Sequence, residues 1–443
     1  MAVTRIQEGG LGTDSFNLPI TLNGTDGSST HAGDNIILDA SASGVDAGER
    51  LLYEGIPPDI PSNISEDISV VDGTTLSIDD GGTLNSKTGS TAYISGQTMP
   101  TEGGLWSGRN IIINGNMAVA QRVTSTTGVG NAAGYFGPDR WAFNGGSTAG
   151  RLTMTQTADG PPGIANCLKL DCTTADTSIA ASESLLIRQF IEGQNAQHLA
   201  KGTKNATTIG VSFWAKQNAT RNIVVILSDD DNTRWVSSLV TVGTSWERYT
   251  VTFPADGVGA LNDDNAKSIT LGFYLHNGSN ATSGTLATKW EAYVAANTAV
   301  GVGSFYSSTD NTFFLTGVQM EAGSPTTFEH ESYAQTLQKC QRYYVQLLKS
   351  DSTKELVING AQSGATNFNC FLPYSMRAAP TITWPATNGV RGEATSVNIS
   401  SVASTMDTNN YVHFNATITS GLSANTASFA YAYQGATTLN AEL

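Results

Sequence analysis

A mainly β, antiparallel, turn-rich fold is what this sequence predicts, and three observations predict it. Gly, Ser, Thr, Asn and Ala dominate, and only 14% of the 443 residues are charged, which suits strands and turns better than long amphipathic helices. Period-two alternation recurs: Ile209, Val211, Phe213 and Ala215 interleave with Gly210, Ser212, Trp214 and Lys216, the pattern of a half-buried strand. Polar turns such as Asp229-Asp230-Asp231-Asn232 and His276-Asn277-Gly278 separate these runs. The predicted architecture is an extended N-terminal region, a central jelly-roll-like β-sandwich, a short helix and a small C-terminal β domain.

A chain of this length exceeds what one hydrophobic core usually serves, so several domains are expected. Residues 1–104 are expected to form an extended attachment and shaft-like region. Brief strands are expected at 36–38 and 51–53, a Pro-rich linker at 56–61, and strand–turn units between 64 and 97. Strands this short do not stabilise one another in a lone chain, but copies wrapped around a shared axis would cover their edges. The sandwich spans 105–330, where Tyr249, Val251 and Phe253, then Leu271, Phe273 and Leu275, repeat the alternation. The helix occupies 331–350. Tyr333, Leu337, Cys340, Tyr344 and Leu347 fall on one stripe, suited to docking on the sandwich or meeting its copies. The second β domain covers 351–443, with strands expected at 355–359, 368–372, 381–384, 396–399, 411–418 and 428–433.

The net charge is −15, and residues 1–105 carry 15 acidic and 3 basic side chains of it. A chain so acidic is not expected to bind nucleic acid, which needs Lys and Arg for phosphate neutralisation. The acidic stretch serves solubility or docks a basic partner. Cys167, Cys172, Cys340 and Cys370 show neither a CxxC pair nor zinc spacing, so free thilols of a cytoplasmically folded protein are expected, and no metal site is assigned. The N-terminal residues lack an apolar signal core, and no run of about 18 apolar residues occurs. Neither export by a cleaved signal nor membrane insertion is expected.

From about residue 110 the chain resembles phage tail-fibre and virion structural proteins that carry a carbohydrate-binding-module-like sandwich. The carrying motifs are NIIINGNMAVAQR (110–122), GPDRW (137–141), RQFIEG (188–193), VSFWAK (211–216), TSWERYTVTF (244–253), LTGVQMEAGS (315–324), TFEH (327–330) and CQRYY (340–344). PYSMRAAP (373–380) and NAEL (440–443) are similar to C-terminal segments of that family, and DNIIL (34–38) more weakly to marine-phage structural proteins. No one motif is specific; their order and number are. The resemblance implies a virion location after folding in the host cytoplasm, a homotrimer, and other tail proteins as partners of the N-terminal region. It also allows a structural calcium without assigning its site; no other cofactor is expected.

Sugar binding needs exposed aromatic faces with polar groups beside them. Trp214, Tyr274 and His276 alternate away from inward-facing neighbours, and Trp235 follows an acidic turn. These four are the glycan-binding candidates on an outer sheet face; the plainer reading packs them under loops or against a neighbouring copy. Trp141 and Trp246 lie in framework motifs and are expected in the core. The turns at 229–232 and 262–265 offer oxygen ligands suited to calcium but lack a full loop spacing, so solvated hairpin turns are expected. Trp384, Tyr411, His413, Tyr431 and Tyr433 are candidates for a distal contact surface, or else core.

No G-x-S-x-G elbow, H-E-x-x-H or P-loop occurs, and the five histidines are scattered. No catalytic residue is assigned. The expected function is a non-enzymatic tail-fibre or tail-associated structural protein, attached through its N-terminal region and contacting host-surface glycans. A purely architectural tail or neck component is the alternative. A polysaccharide depolymerase, which needs only two suitably spaced carboxylates, is the third reading.

Overall fold

The computed structural model describes residues 36–37, 68–69, 92–94, 97–99, 108–348, 355–385, 388–391, 396–407, 411–419, 426–433 and 436–443. The expected attachment and shaft-like region therefore lies outside the described residues, apart from four short strands. Ile36–Ile37 (β1) pairs in parallel with Ile68–Ser69 (β2), and Ala92–Ile94 (β3) pairs with Gln97–Met99 (β4). The strand expected at 51–53 and the units at 70–82 lie outside the described residues.

The alternating segments build two antiparallel sheets. In spatial order the first holds Glu291–Ala292 (β16), Arg234–Val242 (β13), Arg221–Asp229 (β12), Lys267–Asn277 (β15), Ser184–Glu192 (β10), Ala142–Gly146 (β7) and Ala133–Gly134 (β6). The second holds Glu247–Phe253 (β14), Ile209–Gln217 (β11), Thr312–Ala322 (β17), Cys167–Thr174 (β9), Arg151–Thr157 (β8) and Ser125–Val129 (β5). Residues two apart share a face, so Val211 and Phe213 meet Leu271 and Phe273 in one buried core. Phe213 stands edge-on to Phe273 at 5.1 Å and stacks on Tyr249 at 5.6 Å. Each such ring contributes about 1.5–3 kcal/mol by leaving water. Trp141 is wholly buried, as its motif suggested, and its indole N–H donates to the Asn114 carbonyl at 3.0 Å.

After a one-turn helix at Ser279–Thr282 (α1), the only other α-helix among the described residues is Tyr333–Gln341 (α2). Ser332 starts α2 through a capping box with Gln335. The helix is shorter than its stripe predicted: Tyr344–Leu348 (β18) is a strand, paired with Thr437–Asn440 (β27). Tyr344, Val345 and Leu348 suit either state, and the ladder and burial against β27 decide for strand. Tyr344 and Leu347 therefore do not extend a helical stripe, and Tyr333 at its start is 60% exposed.

β27 also pairs with Thr381–Thr383 (β21). The remaining strands form a seven-stranded antiparallel sheet ordered Ser396–Val397 (β23), Asn388–Arg391 (β22), Ala427–Tyr433 (β26), Glu355–Gly364 (β19), Asn367–Ser375 (β20), Tyr411–Ile418 (β25) and Ile399–Met406 (β24). Phe368, Cys370, Leu372, Val412, Phe414 and Ile418 face its core. All four cysteines are free and buried; burial pushes the Cys167 thiol up to about 11 and Cys370 up to about 12.

Several of the family-like motifs converge on the junction between sandwich and C-terminal domain. Glu442 lies between Arg140, with which it forms an ion pair, and Arg122 at 3.1 Å. Arg140 donates to the Phe190 carbonyl at 2.7 Å and lies 3.4 Å over the Tyr343 ring. Arg122 lies 3.6 Å over Tyr344, and Gln121 donates to the Tyr344 carbonyl at 2.8 Å. Arg342 grips buried Glu192 with two bonds of 2.9 and 2.7 Å. Burial alone would raise the Glu192 carboxyl, but the bonds from Arg342 and Tyr343 hold it below its ordinary 4.5. A lowered carboxylate stabilises the fold above pH 4.5 and loses that contribution as pH falls through its lower folded value. Thermal melts of the wild type and Glu192→Gln should differ by a constant amount above pH 4.5 and converge as pH falls through the lower folded value.

Candidate functional site: the outer face of the six-stranded sheet

Trp214 and Lys216 face outward from β11 because Phe213 and Ala215 are spent on the core. In register, Trp214 lies between Arg248 of β14 and Thr316 of β17, and Lys216 beside Phe314. A bulge in β17 accommodates the indole. Gly317 takes φ +58°, and a Cβ there would lie 2.8 Å from Trp214 Cδ1, so glycine makes room for the ring. The ladder continues outward from Phe314 to Lys169 to Thr155.

The aromatic end of this face is compact. Trp246 meets Phe314 edge-on at 6.1 Å, and Lys216 Nζ lies 5.0 Å from the Trp246 ring and 4.6 Å from Phe314. Trp246 is thus half-buried on the outer face, not in the core where its motif suggested. It enters from the turn before β14, and a strand period cannot place a side chain beyond the strand's end. Lys216 pairs with Asp159 at 2.9 Å and Lys169 with Asp171 at 2.8 Å. Toward β5 the face turns to hydroxyls, with Ser125 and Thr155 2.9 Å apart and Thr153 donating to Thr127 at 3.3 Å. Half-exposed rings beside ammonium, carboxylate and hydroxyl groups suit the apolar and hydroxyl edges of a sugar.

The other three candidates lie on the opposite sheet and do not join Trp214. Trp235 and Tyr274 pack at 6.5 Å on a small apolar cluster with Leu186, Val224 and Ile226. The 279–303 segment covers it through Leu286 and Val302, anchored by Ser237 N–H donating to the Ala287 carbonyl at 2.6 Å and Ser237 Oγ–H to the Thr298 carbonyl at 2.9 Å. Trp235 Nε1–H is itself satisfied by Ser237 at 3.0 Å, and burial pushes the Tyr274 phenol up to about 12. His276 is 0% exposed, held 2.9 Å from both Ser304 Oγ and Glu183 Oε2. A ring so enclosed has no face for a ligand. The expectation of an open row here is corrected, because strand alternation separates inside from outside but cannot show that a long loop returns over the outside.

In the C-terminal domain Trp384 packs on the core, 4.9 Å from Phe414. Tyr411 and His413 do share an outer face, with Phe371 at 5.7 and 4.4 Å. Tyr431 bonds Ser396 at 2.7 Å beneath Arg391. The side chain of Tyr433 lies outside the described residues.

The acidic turn at 229–232 is not simply solvated. Asp229 is buried and paired with Lys201, so a calcium ion does not fit there with the lysine in place. Asn262, Asp263, Asp264 and Asn265 are exposed. Among the described residues no group of three or more His, Cys, Asp or Glu is placed to hold a metal, and no helix is long and apolar enough to cross a membrane.

No protein-family model and no curated protein matches the sequence. Among solved structures the chain is similar to the enzymatically active domain of tailspike protein 4 of bacteriophage CBA120, at 12% identity and TM-score 0.25. That likeness covers 48% of this chain and 21% of the other. It is also similar to the family 11 carbohydrate-binding module of the Clostridium thermocellum cellulase Lic26A-Cel5E, at 10% identity and TM-score 0.23 over 47% of this chain and 98% of that one. TmCBM61, solved with β-1,4-galactotriose, matches at 12% identity and TM-score 0.22, over 41% and 88% of the two chains.

Proposed function

We propose that this chain is a non-enzymatic structural protein of a phage tail whose sandwich binds host-surface glycan on the outer face of its six-stranded sheet. The observation that carries the binding site is the partly exposed set of Trp214, Trp246 and Phe314 beside Lys216, on the sheet opposite the one the 279–303 segment covers. The virion role rests on the ordered motif resemblance over 110–345, and attachment is assigned to the N-terminal region. Titrating host-surface polysaccharide into the protein while following tryptophan fluorescence tests the site. A saturable change that disappears in a Trp214→Ala/Trp246→Ala double variant is expected. No response to any surface glycan of the host would end the proposal. Size analysis of the glycan afterwards should show chains of unchanged length; shortened products would favour the depolymerase reading.

A second reading, an architectural component stacking copies or neighbours, is favoured by the C-terminal sheet. Val357, Phe371 and Tyr411 are 49%, 50% and 40% exposed there, more apolar surface than a free sheet face needs. Light scattering is expected to show a trimer.

A further inference from the structure

Four oxygens close around the ammonium of Lys201. Its Nζ pairs with Asp229 Oδ2, lies 3.0 Å from Asp256 Oδ2, and donates to the carbonyls of Gly259 at 2.9 Å and Val258 at 3.2 Å. The lysine side chain is 2% exposed, and the two carboxylates 0% and 5%. The Trp290 ring lies 4.8 Å from Nζ.

We infer that Lys201 is a tethered cation filling a divalent-cation type of site, which lets the sandwich fasten its 256–260 loop to the β12–β13 turn without a metal. A simple lysine–aspartate bridge would leave backbone carbonyls to other partners. Here two consecutive carbonyls converge on the same point as two carboxylates, with Gly259 at φ +77°. Carbonyl and carboxylate oxygens on separate loops are the ligand set of a hard cation such as calcium. The carboxylates are also set in place independently of the lysine. Asp229 accepts from Asn232 N–H at 2.9 Å, and Asp256 from Arg234 at 2.9 and 3.1 Å. Two carboxylates facing one lysine and one arginine leave the cluster neutral. Without the lysine it carries a net negative charge in a buried place, which burial alone disfavours and a bound cation relieves.

The test uses the full chain and its melting temperature, with chelator and with millimolar calcium. The wild type is expected to melt identically in both. Lys201→Ala should melt roughly 10 °C lower in chelator, as expected for a buried pair broken on one side, and recover most of that loss in calcium, with water completing the coordination. Lys201→Met, whose long stem still fills the cage, should fall similarly and stay down in calcium. If Lys201→Ala does not fold alone, refolding it with calcium takes the place of the melt, and recovery supports the inference. A wild-type protein that loses stability in chelator would show a resident ion and overturn it. So would a Lys201→Ala protein that calcium does not help, folded or not.

Discussion

Replacing Glu442 with alanine is expected to destabilise the protein by about 3–5 kcal/mol, seen as a melting temperature roughly 10 °C lower. Arg140 and Glu442 are 1% and 6% exposed. Removing the carboxylate leaves a guanidinium among Tyr135, Tyr343 and the Phe190 carbonyl with no counter-charge of its own. Arg122 loses a partner in the same step. The effect should fall on the junction first, so calorimetry is expected to show the C-terminal domain melting before the sandwich. Lys339→Ala sets the scale. It breaks an ion pair with Glu331 whose side chains are 42% and 23% exposed, and solvent screening limits that cost to under about 1 kcal/mol. Equal effects from the two substitutions would show that the buried network does not hold the domains together.

Trp214→Ala is expected to weaken glycan binding by about 2 kcal/mol, roughly 30-fold in Kd. The ring is partly buried, as the Trp235 ring is, so truncation also costs some stability, but a sugar would lose a whole stacking face. Trp235→Ala should cost stability alone. Its ring packs with Tyr274 and Tyr293 and its N–H is satisfied by Ser237, so truncation costs about 3 kcal/mol of stability and leaves affinity near that of the wild type. The two variants separate the two sheet faces. Affinity that falls with Trp235 and not with Trp214 would move the site to the other sheet, through an opening of the 279–303 segment.

How much of this was legible from residues alone follows from the range of the forces involved. The strands were legible because alternation is local: the expected run at 411–418 is observed as Tyr411–Ile418, and that at 428–433 as Ala427–Tyr433. The buried side of β11 and β15 was legible for the same reason. The sequence by itself also determined the motif set of Gln121, Arg122, Asp139, Arg140, Tyr343, Tyr344 and Glu442, though not that these residues meet. Only the tertiary structure decided that they form a junction, since their contacts span up to 320 positions. It alone turned 344–348 from helix to strand, because the partner strand lies about ninety residues away. It alone placed Trp214 and Tyr274 on different sheets, enclosed His276, and set Lys201 among oxygens contributed by two distant turns. Periodicity reports which side of its own strand a residue takes; what covers that side depends on segments elsewhere in the chain.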